Sequence, residues 1–316
     1  MSSLVAAGAS SHAFALEDPA GWTERRARNA RRYEQRFGHA PAESGRLEPP
    51  AELTARAGHI QQALAGVARR LAAARPDVLI LVGDDQDECF PDGNYPQLAM
   101  YLGGDFTARR VDRAAAPAHR RGDAEFAVAL YGDLVEHDLD LMAVGSLPGS
   151  HLEAHAFGPL LEVLDPDARI AVIPLFVNAI HLPTPSPARC YQVGKLLRAA
   201  VDRHGQGRKV AVFGSGGLSH YPASYPVLRT GPGEQPFSWG DIDEVFDQRF
   251  VNAIRSGDGH TAAELPAAAL VAAGAIELNS WLVVLGTVGH TQPELCVYEA
   301  LYGGMMGMGV CYWSLS

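Results

Sequence analysis

The residues best suited to chemistry in this chain sit just past the ends of short apolar runs. His220 closes the stretch Gly214-Ser215-Gly216-Gly217-Leu218-Ser219-His220, which follows the run Val210-Ala211-Val212-Phe213. A glycine-rich turn at the carboxyl end of a buried strand lets backbone approach a ligand closely. Histidine is the side chain whose charge changes near neutral pH, so this corner reads as a site for moving protons. His12 holds a similar place in Gly8-Ala9-Ser10-Ser11-His12, and Asp85 and Gln86 come soon after Val78–Val82. His151 and His155 follow Leu141–Val144, while Asn178 and His181 follow Ile170–Leu175. Glu277 lies in the mostly apolar segment Ile276-Glu277-Leu278-Asn279-Ser280-Trp281. A carboxylate there needs a partner, because burying a lone charge is costly.

The elements that would carry these groups alternate. Strands are expected at 4–7, 78–82, 141–144, 170–175 and 210–213, with closing strands near 296–298 and 310–313. Helices are expected from Asp18-Pro19 to about Phe37, then at 51–74, 124–136, 187–204, 241–255, 261–273 and 276–285. Alternation of this kind predicts an α/β fold, a single domain with a central mixed sheet flanked by helices. The tract Pro222–Gly240, rich in Pro, Gly and Ser, reads as a loop or lid within it. The Arg/Glu-rich run 24–36 reads as a solvated helix face.

Composition narrows the classes. The 316 residues carry a net charge of −10, which argues against nucleic acid as a partner. Membrane spanning is not expected, because no apolar stretch approaches the ~20 residues required. The first residues lack the charged and apolar regions of a signal peptide. The four cysteines are widely spaced, as expected for reduced thiols in a cytoplasmic protein. The glycine turn lacks the third glycine of a dinucleotide site, and neither Ser215 nor Ser219 sits in a nucleophile elbow.

Taken together, Gly8 to His12, Gly214 to His220, Arg189-Cys190-Tyr191-x-x-Gly194-Lys195, Glu277 in Ile-Glu-Leu-Asn-Ser-Trp and the closing Gly-Met-Gly-Val-Cys-Tyr-Trp resemble the class III extradiol ring-cleavage dioxygenases. These are relatives of the catalytic subunit of protocatechuate 4,5-dioxygenase. The Gly-Asp-Asp-Gln form followed by Glu88 and Phe90 resembles the 3-O-methylgallate dioxygenase branch. The resemblance implies a non-haem Fe(II) enzyme that opens a catechol or gallate-type ring with O₂. It implies His12 and Glu277 as iron ligands, and His220 and His155 as acid/base residues. Asn178, His181 and Arg189 are the candidates for binding substrate, Arg189 through a carboxylate; a rigid loop set by Pro183 and Pro185, with Arg189 holding the Pro-rich loop in place, is the alternative. Association as a homodimer is a further expectation of the resemblance.

One position departs from the family pattern. An Asp-His pair usually supplies the second histidine ligand, and here the pair is Asp85-Gln86. Three readings stay open: Gln86 binds iron through its carbonyl, another histidine such as His39 or His59 replaces it, or iron is not held. The last would make the chain a catalytically silent family member; a related metalloenzyme acting on a non-catechol substrate is a further alternative. His151 competes with His155 for the acid role. Glu88 reads as a surface or loop carboxylate, with assistance to a metal as the alternative.

Overall fold

The computed structural model describes residues 3–41, 46–90, 94–147, 151–220 and 240–315. Among these lie the strands β1 (Leu4–Ser10), β2 (Val78–Gly83), β3 (Leu98–Tyr101), β4 (Phe106–Ala108), β5 (Ala118–Arg120), β6 (Met142–Val144), β7 (Ala171–Val177), β8 (Val210–Ser215), β9 (Leu295–Leu301) and β10 (Met306–Ser314). The helices are α1 (Trp22–Phe37), α2 (Pro50–Ala74), α3 (Ala124–Glu136), α4 (Gly158–Leu164), α5 (Pro187–His204), α6 (Glu244–Ser256), α7 (Gly259–Ala263), α8 (Ala267–Ala272) and α9 (Leu278–Val288). Eight strands form one mixed sheet in the order β6-β3-β7-β2-β8-β1-β10-β9, and β4 pairs with β5 apart from it. The four central strands β7, β2, β8 and β1 run parallel.

Every residue of those four strands is buried. Their unbroken apolar runs are what a strand covered on both faces requires. Side chains alternate between the faces. Val78, Ile80 and Val82 enter the core under α3, α5 and α9, while Leu79 and Leu81 enter the core under α2 and α4. None of the helices among the described residues is long and apolar enough to cross a membrane.

Several expectations need correction. The helix expected over 261–273 is split into α7 and α8 around Pro266, a residue that cannot continue a helix interior. The sequence assigns no element between 87 and 123, yet β3, β4 and β5 form there. β3 is four residues long and is held by its pairing with β7 and β6. The face of α1 is not wholly solvated: Trp22, Arg26 and Tyr33 are buried, and Arg26 Nη1 donates to the Tyr302 carbonyl at 2.7 Å. The proposed lid at 222–240 lies, apart from Gly240, outside the described residues.

Register brings the functional loops together. Ser10 pairs with Ser215 and Val82 with Gly214, so β1, β8 and β2 end side by side. α9 starts over the same edge because β8 ends in glycines. A Cβ at Gly216 would lie 2.6 Å from the Glu277 carbonyl oxygen, and one at Gly214 would lie 2.9 Å from that of Ser280.

Candidate active site

A cavity of about 320 Å³ opens at this edge, and its lining includes His12, Gln86, Glu88, His155, His220 and Glu277. Five residues picked out from sequence thus come from five loops to one wall. His12 follows β1, Gln86 follows β2, His155 precedes α4, His220 follows β8, and Glu277 is the residue before α9.

Glu277 is the hub of this wall. It is 2% exposed. Its Oε2 accepts from the Gly217 backbone N–H at 2.6 Å and lies 3.6 Å from His12 Nε2. Its Oε1 lies 3.2 Å from His220 Nε2 and accepts from the Gln86 amide at 3.1 Å. Burial alone would raise the Glu277 pKa, but the neighbouring histidines and these hydrogen bonds hold it well below the usual carboxylate range.

The three histidines are held differently. Burial drives the His12 pKa down to about 3, against the pull of Glu277, so its ring is neutral. Its Nδ1 lies 3.0 Å from Ser215 Oγ; in the tautomer that donates to Ser215, Nε2 turns a bare lone pair toward Glu277. Burial also works against charge on His155, but Glu88 outweighs it and lifts the pKa to about 9. Glu88 Oε2 is 2.7 Å from His155 Nδ1, and its Oε1 accepts from Arg109 Nη1 at 2.7 Å. His220 is likewise raised despite burial, mainly through Glu277. His220 Nδ1 donates to the Leu218 carbonyl at 2.7 Å, leaving Nε2 to face the site.

Sequence reasoning missed Asp84. It is 2% exposed and its Oδ2 accepts from the Gln86 amide at 3.2 Å. Burial and the nearby Glu277 charge raise its pKa to about 7. His12, Asp84 and Glu277 each offer a ligand atom, and these lie within 4.8 Å of one another. Asp84 Oδ1 is buried without a hydrogen-bond partner. A neutral imidazole facing an anionic carboxylate, beside an orphaned carboxylate oxygen, is a donor set that fits a divalent cation. Glu88 was also undervalued, since the ring it holds comes from a loop 67 residues away.

Other expected residues lie elsewhere. Asn178 and His181 line a separate small cavity with Tyr95. Asn178 is occupied with its own turn, its Oδ1 accepting from the Ile180 and His181 amides. His181 stacks on Tyr95 and pairs with Asp87 at 2.6 Å. Arg189, at the start of α5, donates to the Asp138 carbonyl and does not line the main cavity, which Arg25, Arg32, Arg109 and Arg113 do. His59 is 55% exposed and pairs with Glu299, and His39 lies exposed against Tyr33; neither reaches the site. His151 pairs with Glu153 and is not part of the cavity lining.

Comparison with known proteins supplies the family. Residues 38–310 match the family described as the catalytic LigB subunit of aromatic ring-opening dioxygenase. A 2,3-dihydroxyphenylpropionate/2,3-dihydroxicinnamic acid 1,2-dioxygenase of Burkholderia vietnamiensis is 24% identical, covering 87% of this chain and 94% of its own. A gallate dioxygenase of Pseudomonas putida is 36% identical over 66 residues, covering 20% of this chain and 19% of its own. The homologue from Klebsiella pneumoniae subsp. pneumoniae, also named as a 2,3-dihydroxyphenylpropionate/2,3-dihydroxicinnamic acid 1,2-dioxygenase, is 28% identical over 52% of this chain and 49% of its own. The matched span runs from the loop before α2 into β10 and includes Gln86, His155, His220 and Glu277. The chain therefore belongs to the catalytic LigB-subunit family of aromatic ring-opening dioxygenases.

Proposed function

We propose that this chain is an extradiol dioxygenase that uses Fe(II) and O₂ to open a vicinal aromatic diol bearing an acidic substituent. One observation carries the reading. A single cavity joins a neutral buried histidine and Glu277, with Asp84 within ligand distance of both, to two histidines held toward their protonated forms. That is the split a reaction needs when it must both take a proton from a phenol and return one. Family membership and the relatives' printed names support the diol class.

His12, Glu277 and an oxygen donor from the loop 84–86 would hold the metal. Fe(II) bound there would supply redox chemistry with O₂ that no side chain can. The protein's own part is orientation and proton transfer. His220, anchored through Nδ1 on the Leu218 carbonyl, keeps Nε2 3.2 Å from Glu277 at the cavity wall, placed to exchange a proton with a diol hydroxyl. His155 remains protonated below about pH 9, so it can donate to an oxygen that gains charge. Phe14, Pro159, Met305 and Met306 line the same cavity and limit water beside the ring. Arg32 and Arg113 are exposed lining residues, suited to an anionic substituent.

The test is anaerobic loading with Fe(II), iron quantification, and O₂ uptake with catechols, gallates and carboxylated diols. Uptake with formation of a ring-opened product supports the reading; one iron per chain with no uptake from any vicinal diol refutes it. Replacing His220 by Gln should lower kcat by ~10²-fold or more while iron stays bound. Loss of iron in that variant would instead make His220 a ligand. A second reading, a silent family member, rests on Gln86 and gains support if no Fe(II) binds.

A further inference from the structure

We infer that Asp84, and not Gln86, completes the metal-binding set with His12 and Glu277, and that Gln86 acts as a clamp between the two carboxylates. The inference rests on the metal-dependent reading above and specifies its ligands.

Geometry separates the three candidates of the Asp84-Asp85-Gln86 loop. Asp85 is committed to its own turn, accepting from the Cys89 and Phe90 amides at 2.7 and 3.3 Å. Gln86 presents its amide nitrogen, which reaches Asp84 Oδ2 at 3.2 Å and Glu277 Oε1 at 3.1 Å. An amide nitrogen with its protons so placed has no lone pair to offer a metal. Reversing the amide would lose both bonds and set its oxygen against two carboxylates. Asp84 is the opposite case. It lies within 4.8 Å of the His12 and Glu277 donor atoms, and its Oδ1 is sealed from solvent without a hydrogen bond. A buried carboxylate oxygen left unmatched is costly, and a cation shared with Glu277 removes both that cost and the repulsion between the two acids.

The chemical consequence is a harder donor set than two histidines and one carboxylate. One imidazole and two carboxylates carry two negative charges and neutralise a divalent ion. Carboxylate oxygens suit Mn(II), whereas imidazole suits Zn(II), Cu(II) and iron, so exchanging one imidazole for a carboxylate moves the site toward Mn(II). Asp84 does not line the cavity, whereas Gln86 does. Ligation by Asp84 therefore leaves the open side of the metal for substrate.

Anaerobic calorimetric titration of the whole chain with Mn(II), read in parallel by electron paramagnetic resonance, tests the assignment without turnover. The wild type should take up one equivalent. Asp84→Asn should weaken Mn(II) binding by ~100-fold or more, as should His12→Ala and Glu277→Gln, whereas Gln86→Ala should weaken it by ~10-fold or less. Circular dichroism in chelator should show Asp84→Asn folded like the wild type. If that variant fails to fold, Gln86→Ala decides alone: a loss of ~100-fold or more overturns the inference, and retention within ~10-fold upholds it. Wild-type Mn(II) affinity in a folded Asp84→Asn variant also overturns it. The two readings fail separately. Metal held through Asp84 with no O₂ uptake defeats ring opening alone, and ring opening by Asp84→Asn at wild-type iron affinity defeats the ligand assignment alone.

Discussion

At the scale of single residues, the same side-chain type serves opposite ends because its neighbours differ. His12 has no charge partner strong enough to offset burial and stays neutral, whereas Glu88 offsets burial for His155 and keeps it charged to about pH 9. Glu88 is in turn held low by His155 and Arg109 in spite of burial. The exposed arginines at the cavity mouth belong to a different task. Arg113→Gln should raise KM ~3- to 10-fold for a carboxylated diol and leave unsubstituted catechol unchanged. Parallel steady-state O₂ uptake with both substrates checks this; equal changes for the two would remove Arg113 from substrate binding.

At the scale of elements, helix approach and anchoring set the wall. α5 and α9 touch backbone to backbone at Gly194 and Gly286, where a Cβ would fall 1.9 Å from the Val283 oxygen and 2.1 Å from the Tyr191 oxygen. Alanine ordinarily stabilises a helix interior by about 1 kcal/mol over glycine. Here Gly194→Ala should destabilise by ~1–3 kcal/mol through overpacking, seen as a lower urea midpoint; a raised midpoint would contradict the close packing. α6 anchors the turn before His220. Its Asp247 accepts from the Ser219 amide and hydroxyl and from the Tyr298 hydroxyl, at 2.9, 2.8 and 2.9 Å. Burial nevertheless lifts the Asp247 pKa from 3.8 to about 6. An acid raised in the folded state binds more protons folded than unfolded between those values, so its contribution to stability falls as pH rises through about 6. Acidification from pH 7 to pH 5 should therefore favour the wild type over Asp247→Asn by about 1 kcal/mol. Urea unfolding of both proteins at the two pH values measures it, and a pH-independent difference would count against a buried ionised Asp247.

At the scale of the whole molecule, the site is a destabilised patch that a ligand can relieve. Two buried carboxylates and an orphaned oxygen meet at the edge of the sheet. A cation that binds only the folded chain adds about 2.7 kcal/mol at a hundred times its Kd. Thermal unfolding in Mn(II) at that excess should exceed unfolding in chelator by ~3–6 °C. Coincident transitions would show that no metal couples to the fold here.

Much of the fold was legible because it is written in local pattern. Continuous apolar runs specify β2, β7 and β8, and the turn Gly214–His220 marks the end of β8. His12, His155, His220 and Glu277 stood out as polar groups beside such runs. What stayed hidden depends on contacts between distant segments. β3 has too few residues to announce itself and exists through its pairing with β7. Arg32 read as part of a solvated face, and only the position of α1 brings it to the cavity mouth. Arg189, Asn178 and His181 read as substrate contacts from their place beside apolar runs, whereas the fold sets Arg189 against the Asp138 carbonyl and His181 against Asp87, outside the lining of the main cavity. The sequence by itself determined which loops carry chemistry, because strand ends and glycine turns are local properties. Only tertiary structure decided which donor of Asp84-Asp85-Gln86 meets His12 and Glu277. Three adjacent polar residues differ in orientation, and that orientation is set by their partners, the Cys89 and Phe90 amides for Asp85 and the distant Glu277 for Gln86, rather than by their order along the chain.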